Sequence, residues 1–227
     1  MRKRYYLKAP AKIILIILAV CAAVILWHSL KAGAVIRYLF GGKTYSNEDF
    51  GIKTYISTSD GDSDGIDDQS DILAGARKYV ATKPRYESRY YNGGYPDDGF
   101  GVCTDVVANA FLNAGYDLMK LVSADIKRSP ADYGSDVGDD NIDFRRVRNL
   151  LVYFRHTAAE LTTDISEIDE WQGGDIVVFE GHIGIVSDRR NKNGTPLVIH
   201  HGSQNETQNE QDILELRDDI VAHFRAG

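Results

Sequence analysis

The chain has 227 residues, 43% hydrophobic and 26% charged, with a formal net charge of −7. These are ordinary globular proportions, and they exclude disordered, collagenous, coiled-coil and multi-span membrane chains. Two cysteines, Cys21 and Cys103, exclude a disulfide-rich scaffold. The charge is uneven: the first 34 residues carry six basic side chains and no acid, which leaves 20 basic against 33 acidic, net −13, on the rest. A body of that sign repels nucleic acid, whose binding depends on neutralising phosphates. No nucleic-acid partner is expected.

Residues 13–30 read IILIILAVCAAVILWHSL, without a formal charge. As a helix this run spans roughly 27 Å, enough for a hydrocarbon core. Arg2, Lys3, Arg4, Lys8 and Lys12 precede it and Trp27 stands near its end. The positive-inside rule then predicts a single-pass membrane anchor, with the N-terminus in the cytosol and the acidic body outside. A signal peptide cleaved near Ala34 is the alternative, because Ala32-Gly33-Ala34 has the small-residue pattern of a cleavage site. Both readings export the body. The domains expected are a basic tip and anchor or signal peptide at 1–34, a linker at 35–59, and a globular domain at 60–227.

In chain order, 60–71 is a dense acidic loop and 71–81 a short helix. Residues 82–102, rich in Tyr, Gly and Pro, are irregular. Over 103–114, Val106, Val107, Ala110, Phe111 and Ala114 share one helical face, and Gly115 follows as a stop. Helices are expected at 118–127 and 145–156, with an Asp/Gly-rich loop at 129–143 between them. The period then changes: 175–179, 182–186 and 197–200 are short β-rich runs, separated by Gly181 and by Asn193-Gly194, as in antiparallel hairpins. The tail from Asp212 is readable as strand or helix. Helices first and a small antiparallel sheet second make an α+β domain.

The acidic loop has ligand spacing. In a twelve-residue frame from Asp60, carboxylates fall at positions 1, 3, 5, 9 and 12 (Asp60, Asp62, Asp64, Asp68, Asp71) and a glycine at 6 (Gly65). Ile66 at position 7 offers its backbone carbonyl. This predicts a structural Ca²⁺ loop with Asp60, Asp62, Asp64, Ile66, Asp68 and Asp71 as ligands. It departs from the usual loop in having Asp at position 12 and Asp67 at position 8. A solvated acidic turn is the alternative.

Cys103 is the single cysteine of the exported body, and it opens a predicted helix. There the helix dipole and free amides favour a thiolate. His182 opens one strand and His200 closes the next, so their side chains can lie side by side, one orienting the other. A thiolate paired with His182 is expected well below the free-thiol pKa of about 8.5. His201 neighbours His200, and alternation turns only one of them inward. Asp105 is expected simply to stabilise the first helical turn, and Asp175 to cap a turn into its strand. His156 and His223 have no partner pattern. Tyr90, Tyr91 and Tyr95 are candidates to line a cleft or to pack a loop.

Four segments carry a resemblance: Gly101-Val102-Cys103-Thr104-Asp105-Val106-Val107, Trp171-Gln172-Gly173-Gly174-Asp175-Ile176-Val177, His182-Ile183-Gly184-Ile185-Val186 and Val198-Ile199-His200. Together, over roughly 60–225, they resemble the papain-like bacterial cell-wall cysteine hydrolases, the NlpC-type peptidases and CHAP-type amidases. Residues 91–116 and 141–150 look closer to one branch, a bacterial domain of unknown function. The resemblance implies a papain-like α+β fold, with Cys103 as nucleophile, His182 as general base and His200, rather than His201, as the orienting residue. It also implies amide bonds of peptidoglycan peptides as substrate. The Asp-Cys-Ser triplet common in those enzymes is absent here, since Val102 and Thr104 flank Cys103. The function expected is an exported, membrane-tethered cysteine amidase or peptidase working through a thioester. The alternatives are an acyltransferase on the same scaffold and a non-catalytic, calcium-stabilised module that binds cell wall.

Overall fold

The computed structural model describes residues 16–21, 24, 42–203 and 209–226. The apolar run at 13–30 lies mostly outside the described residues; 16–21 and 24 within it are helical and exposed. Among the described residues no helix is long and apolar enough to cross a membrane.

Among the described residues from 42 on, a 3-10 turn at Glu48–Phe50 is followed by six α-helices and eight strands. The helices are α1 (Asp68–Val80), α2 (Cys103–Asn113), α3 (Leu118–Arg128), α4 (Pro130–Tyr133), α5 (Asp140–Asp143) and α6 (Val147–Thr157). Strands β1 (Arg85–Tyr86) and β2 (Phe100–Gly101) form a two-residue parallel pair. The others are β3 (Ala159–Glu160), β4 (Ile176–Phe179), β5 (His182–Arg190), β6 (Pro196–Ile199), β7 (Glu210–Gln211) and β8 (Ile220–Arg225). They make one antiparallel sheet in the order β3-β8-β4-β5-β6-β7. The chain is thus α+β, with helices gathered against an antiparallel sheet.

Alternation along the strands divides the core in two. Ile176, Val178, Ile183, Ile185, Ile199 and Phe224 face the helices, where Val106, Val107, Ala110 and Phe111 of α2 meet them. Val177, Phe179, Val186 and Val198 face the other way, onto Trp171, Ile213 and Leu214. Each buried Val, Leu, Ile or Phe among them contributes roughly 1.5–3 kcal/mol of transfer free energy. Helix α1 packs closely on α2 at Gly75. A Cβ there would stand 2.5 Å from Asn113 Cβ and 2.9 Å from the Ala110 carbonyl oxygen.

Three expectations need correction. The loop at 129–143 contains two four-residue helices, α4 and α5. The ambiguous tail supplies β8, an interior strand hydrogen-bonded to both β3 and β4. The expected linker at 35–59 is, from Tyr45 on, part of the domain. Tyr45 exchanges backbone hydrogen bonds with Arg190. Asn47 is buried, donates to Gln172 Oε1 at 2.9 Å and accepts from Arg190 Nε at 2.6 Å. Arg190 is fully buried and donates to the carbonyls of Ile168, Gly194 and Trp171. A buried guanidinium needs such acceptors, so the polar segment at 42–59 completes its environment rather than spacing the domain from elsewhere.

Candidate active site

Helix α2 begins at Cys103 because the chain before it is extended: Val102 has φ −137° and ψ −179°. Asp105, one turn in, accepts the Val102 amide at 2.8 Å. Its carboxylate also receives Arg145 through two hydrogen bonds, Nε–Oδ1 at 2.7 Å and Nη2–Oδ2 at 2.9 Å. Both side chains are almost wholly buried. Arg145 further donates to the Arg89 carbonyl, and Thr104 Oγ1 donates to the Arg145 carbonyl. Asp105 therefore does more than stabilise the helix end: with Arg145 it fixes where Cys103 sits. Arg145 is a residue that the sequence reading missed, since its partner lies 40 positions away.

Cys103 is 6% exposed and packs against the start of β5. Burial pushes its thiol up to about 11, although the backbone amides of Ile183, Thr104 and Cys103 itself act on the sulfur in the opposite sense. The expected thiolate is thus corrected. The helix start supplies amides to the sulfur, but desolvation of an enclosed anion outweighs them.

His182 and His200 come together across β5 and β6. His182 Nε2 lies 3.2 Å from His200 Nδ1, with the ring planes at 89°. The register pairs Ile185 with Ile199, and continuing it sets Gly184 opposite His200. With no side chain on Gly184, His200 leans across toward His182. A Cβ at Gly184 would stand 2.6 Å from Val198 Cγ1, 2.9 Å from the Ile199 carbonyl oxygen and 3.2 Å from His200 Cβ. His201 is also buried, at 3% exposure, with its ring edge-on to Tyr86 and its Nδ1 3.3 Å from Asn209 Nδ2. The two histidines do point apart, but the outward one is covered.

His182 and His200 open onto a cavity of about 410 Å³ shared with Tyr86, Glu180, Gly181 and Arg217. Cys103 does not line it; the sulfur lies against the Ile183 backbone, one residue along β5. Of the tyrosines expected near a cleft, Tyr91 and Tyr95 hold loops, donating to Asp98 at 2.8 Å and Asp117 at 3.0 Å, and Tyr90 is exposed. Tyr86, not singled out from sequence, is the one at the cavity.

Asp175 is fully buried and accepts from Gln172 N, so it caps its turn as expected. It also receives Gln69, Arg225 and His223, and His223 stacks on Trp171 with ring centroids 3.9 Å apart. Burial alone would raise the Asp175 pKa; the His223 and Arg225 partners outweigh it and hold it below the usual carboxylate range. His156 likewise has partners, in Asp125 and Asp132.

In the acidic loop, Asp60, Asp62 and Asp64 bring oxygens within 4.8 Å of one another. Ile66 is half exposed and donates its amide to Asp64. Asp71 is buried in the first turn of α1. Asp68 is a correction: it is not in this group, and its oxygens accept the Gly61 amide at 2.7 Å and the Tyr116 hydroxyl at 2.6 Å. Asp67, out of place in a ligand frame, is the N-cap of α1 and accepts from Ser70 and Ser57.

No solved structure gives a significant match to the chain. An uncharacterized protein of Escherichia coli (strain K12), YijF, is 37% identical over 171 residues, covering 68% of this chain and 80% of its own length. The model of a domain of unknown function, DUF1287, matches residues 73–226, which include Cys103, His182, His200, Arg145 and Asp175. The chain belongs to the DUF1287 family.

Proposed function

We propose that Cys103, His182 and His200 form the catalytic set of a papain-like cysteine amidase or peptidase. Its substrates are amide bonds of peptidoglycan peptides, met outside the cytosol. The observations that carry this are the His182–His200 contact on neighbouring strands, at 3.2 Å, and a cysteine that opens a helix with its sulfur on the amide of Ile183, the residue after His182. The charge asymmetry of the chain supports export, because the basic residues precede the apolar run at 13–30. The chemistry uses groups already described. If Nε2–H of His182 donates to His200, Nδ1 of His182 is the basic nitrogen and takes the thiol proton. Sulfur then bonds the carbonyl carbon, the C–N bond breaks, and His182 returns its proton to the leaving amine. Water attacks the thioester, loses a proton to His182, and releases the acid while the thiol re-forms. Amides at the start of α2 are suited to the oxyanion.

The test is mass spectrometry of peptidoglycan fragments incubated with the full chain and with Cys103→Ala. New amine and acid termini that vanish in the variant support the reading, and identical fragments overturn it. The buried thiol favours a second reading, a cell-wall-binding module without turnover. In that case Cys103→Ala would retain fragments on the protein as well as the native chain does.

A further inference from the structure

We infer that the loop at 60–71 is a Ca²⁺ site, with Asp60, Asp62, Asp64 and Asp71 as carboxylate ligands and the Ile66 carbonyl completing the set. This stands apart from the catalytic reading. Three exposed carboxylates that bring oxygens within 4.8 Å of one another repel, though loop amides of Asp64, Gly65 and Ile66 donate to them, and surface clusters of this kind are common without a metal. Asp71 adds the independent observation. It is 4% exposed, and its Oδ2 has no hydrogen-bond partner. A buried carboxylate oxygen is costly unless something positive or a donor meets it. The loop that runs into α1 offers it acids rather than donors: Asp60, Asp62, Asp64 and Asp67. The basic residues of α1, Arg77 and Lys78, stand in its last turn, and Arg77 is engaged with Asp188 and Glu210. A divalent cation would satisfy Asp71 and remove the repulsion at once.

The donors are all oxygens, which suits a hard cation and not zinc or copper. An exposed, irregular loop suits the loose coordination of Ca²⁺ better than the strict octahedron of Mg²⁺. Asp67 and Asp68 are left out of the ligand set: Asp67 caps α1, and Asp68, buried, is held by the Tyr116 hydroxyl and the Gly61 amide. Binding would draw the first turn of α1 onto the loop, and α1 is the helix that packs at Gly75 against α2, which carries Cys103.

Tyr116 provides a readout that does not depend on activity. Its ring lies against the loop, 2.6 Å from where a Cβ of residue 61 would stand. Tb³⁺ added to the full chain should luminesce on tyrosine excitation, and Ca²⁺ should displace it while Mg²⁺ does so far less. Thermal unfolding in Ca²⁺ at about 100 times its Kd should occur roughly 5–10 °C above that in EDTA. Asp62→Ala plus Asp64→Ala, both at exposed positions, should abolish both responses. In EDTA that variant should be at least as stable as the native chain, since like charges are gone. Equal melting in Ca²⁺ and EDTA without Tb³⁺ luminescence would overturn the assignment. So would luminescence or a calcium-dependent melting shift that survives the double variant, because the metal would then bind elsewhere.

Discussion

Gly184 and His200 face each other across β5 and β6, and the missing side chain of one sets the ring position of the other. A Cβ at 184 would stand 3.2 Å from His200 Cβ and still closer to Val198 and Ile199. Gly184→Ala should therefore push His200 away from His182. The expected result is a fall in kcat larger than any change in KM, with a stability loss of about 1–3 kcal/mol from overpacking. Steady-state kinetics beside urea unfolding would check it; a variant with native kcat would show that the His pair has room to spare.

The two adjacent histidines should separate activity from stability. His200→Ala should lower kcat while leaving most of the fold, since it removes the partner of His182 Nε2. His201→Ala should melt earlier but keep kcat, because it loses the packing under Tyr86 and the Asn209 contact. Reversed effects would mean that the residue orienting His182 is misassigned.

The buried Cys103 thiol makes a pH prediction. With its pKa pushed up to about 11, the resting thiol is neutral at pH 7. Alkylation by iodoacetamide should be slow there and rise about tenfold per pH unit on the alkaline side. The same shift is a stability statement. Its contribution is complete below the unfolded thiol value of about 8.5 and is lost as pH rises through about 11. His182→Ala should abolish turnover yet barely change this alkylation profile. Rapid labelling at neutral pH that His182→Ala slows would reveal a thiolate–imidazolium pair instead.

At low pH the sign is opposite. The depressed Asp175 carboxylate contributes stability that is present above the unfolded value of about 3.9 and lost as pH falls through its lower folded value. Acid unfolding should thus set in below about pH 4. His223→Gln removes one of the groups that lower Asp175, so the acid transition, followed by circular dichroism, should move to higher pH. An unmoved transition would assign acid lability to another carboxylate, such as Asp125.

The helices with clear 3.6-residue stripes and the strands around 175–186 were legible within a few residues, because local periodicity carries that signal. Strand β8 was not: His223 and Arg225 interrupt its apolar pattern, and their reason is Asp175, some 50 positions earlier. The place of Cys103 at a helix start and the approach of His182 to His200 were legible from the residue pattern. The enclosed state of the thiol was not, since burial at Ile183 is a tertiary fact. Asp68 had the spacing of a ligand, yet Tyr116, 48 residues on, had already taken its oxygen. Asn47 read as linker because nothing near it in sequence reveals Arg190.

Strand β8 also bears on the order in which the domain can assemble. It lies between β3 and β4, and it brings both His223 and Arg225 to Asp175. Until residues 220–225 have left the ribosome, the sheet has a gap in its interior and a carboxylate at its base without these two partners. Pairing of β8 with β3 and β4, rather than formation of α2, is then the event that closes the sheet. Truncation before Ile220 should leave a chain that exposes β4 and is prone to pair with other copies along that edge.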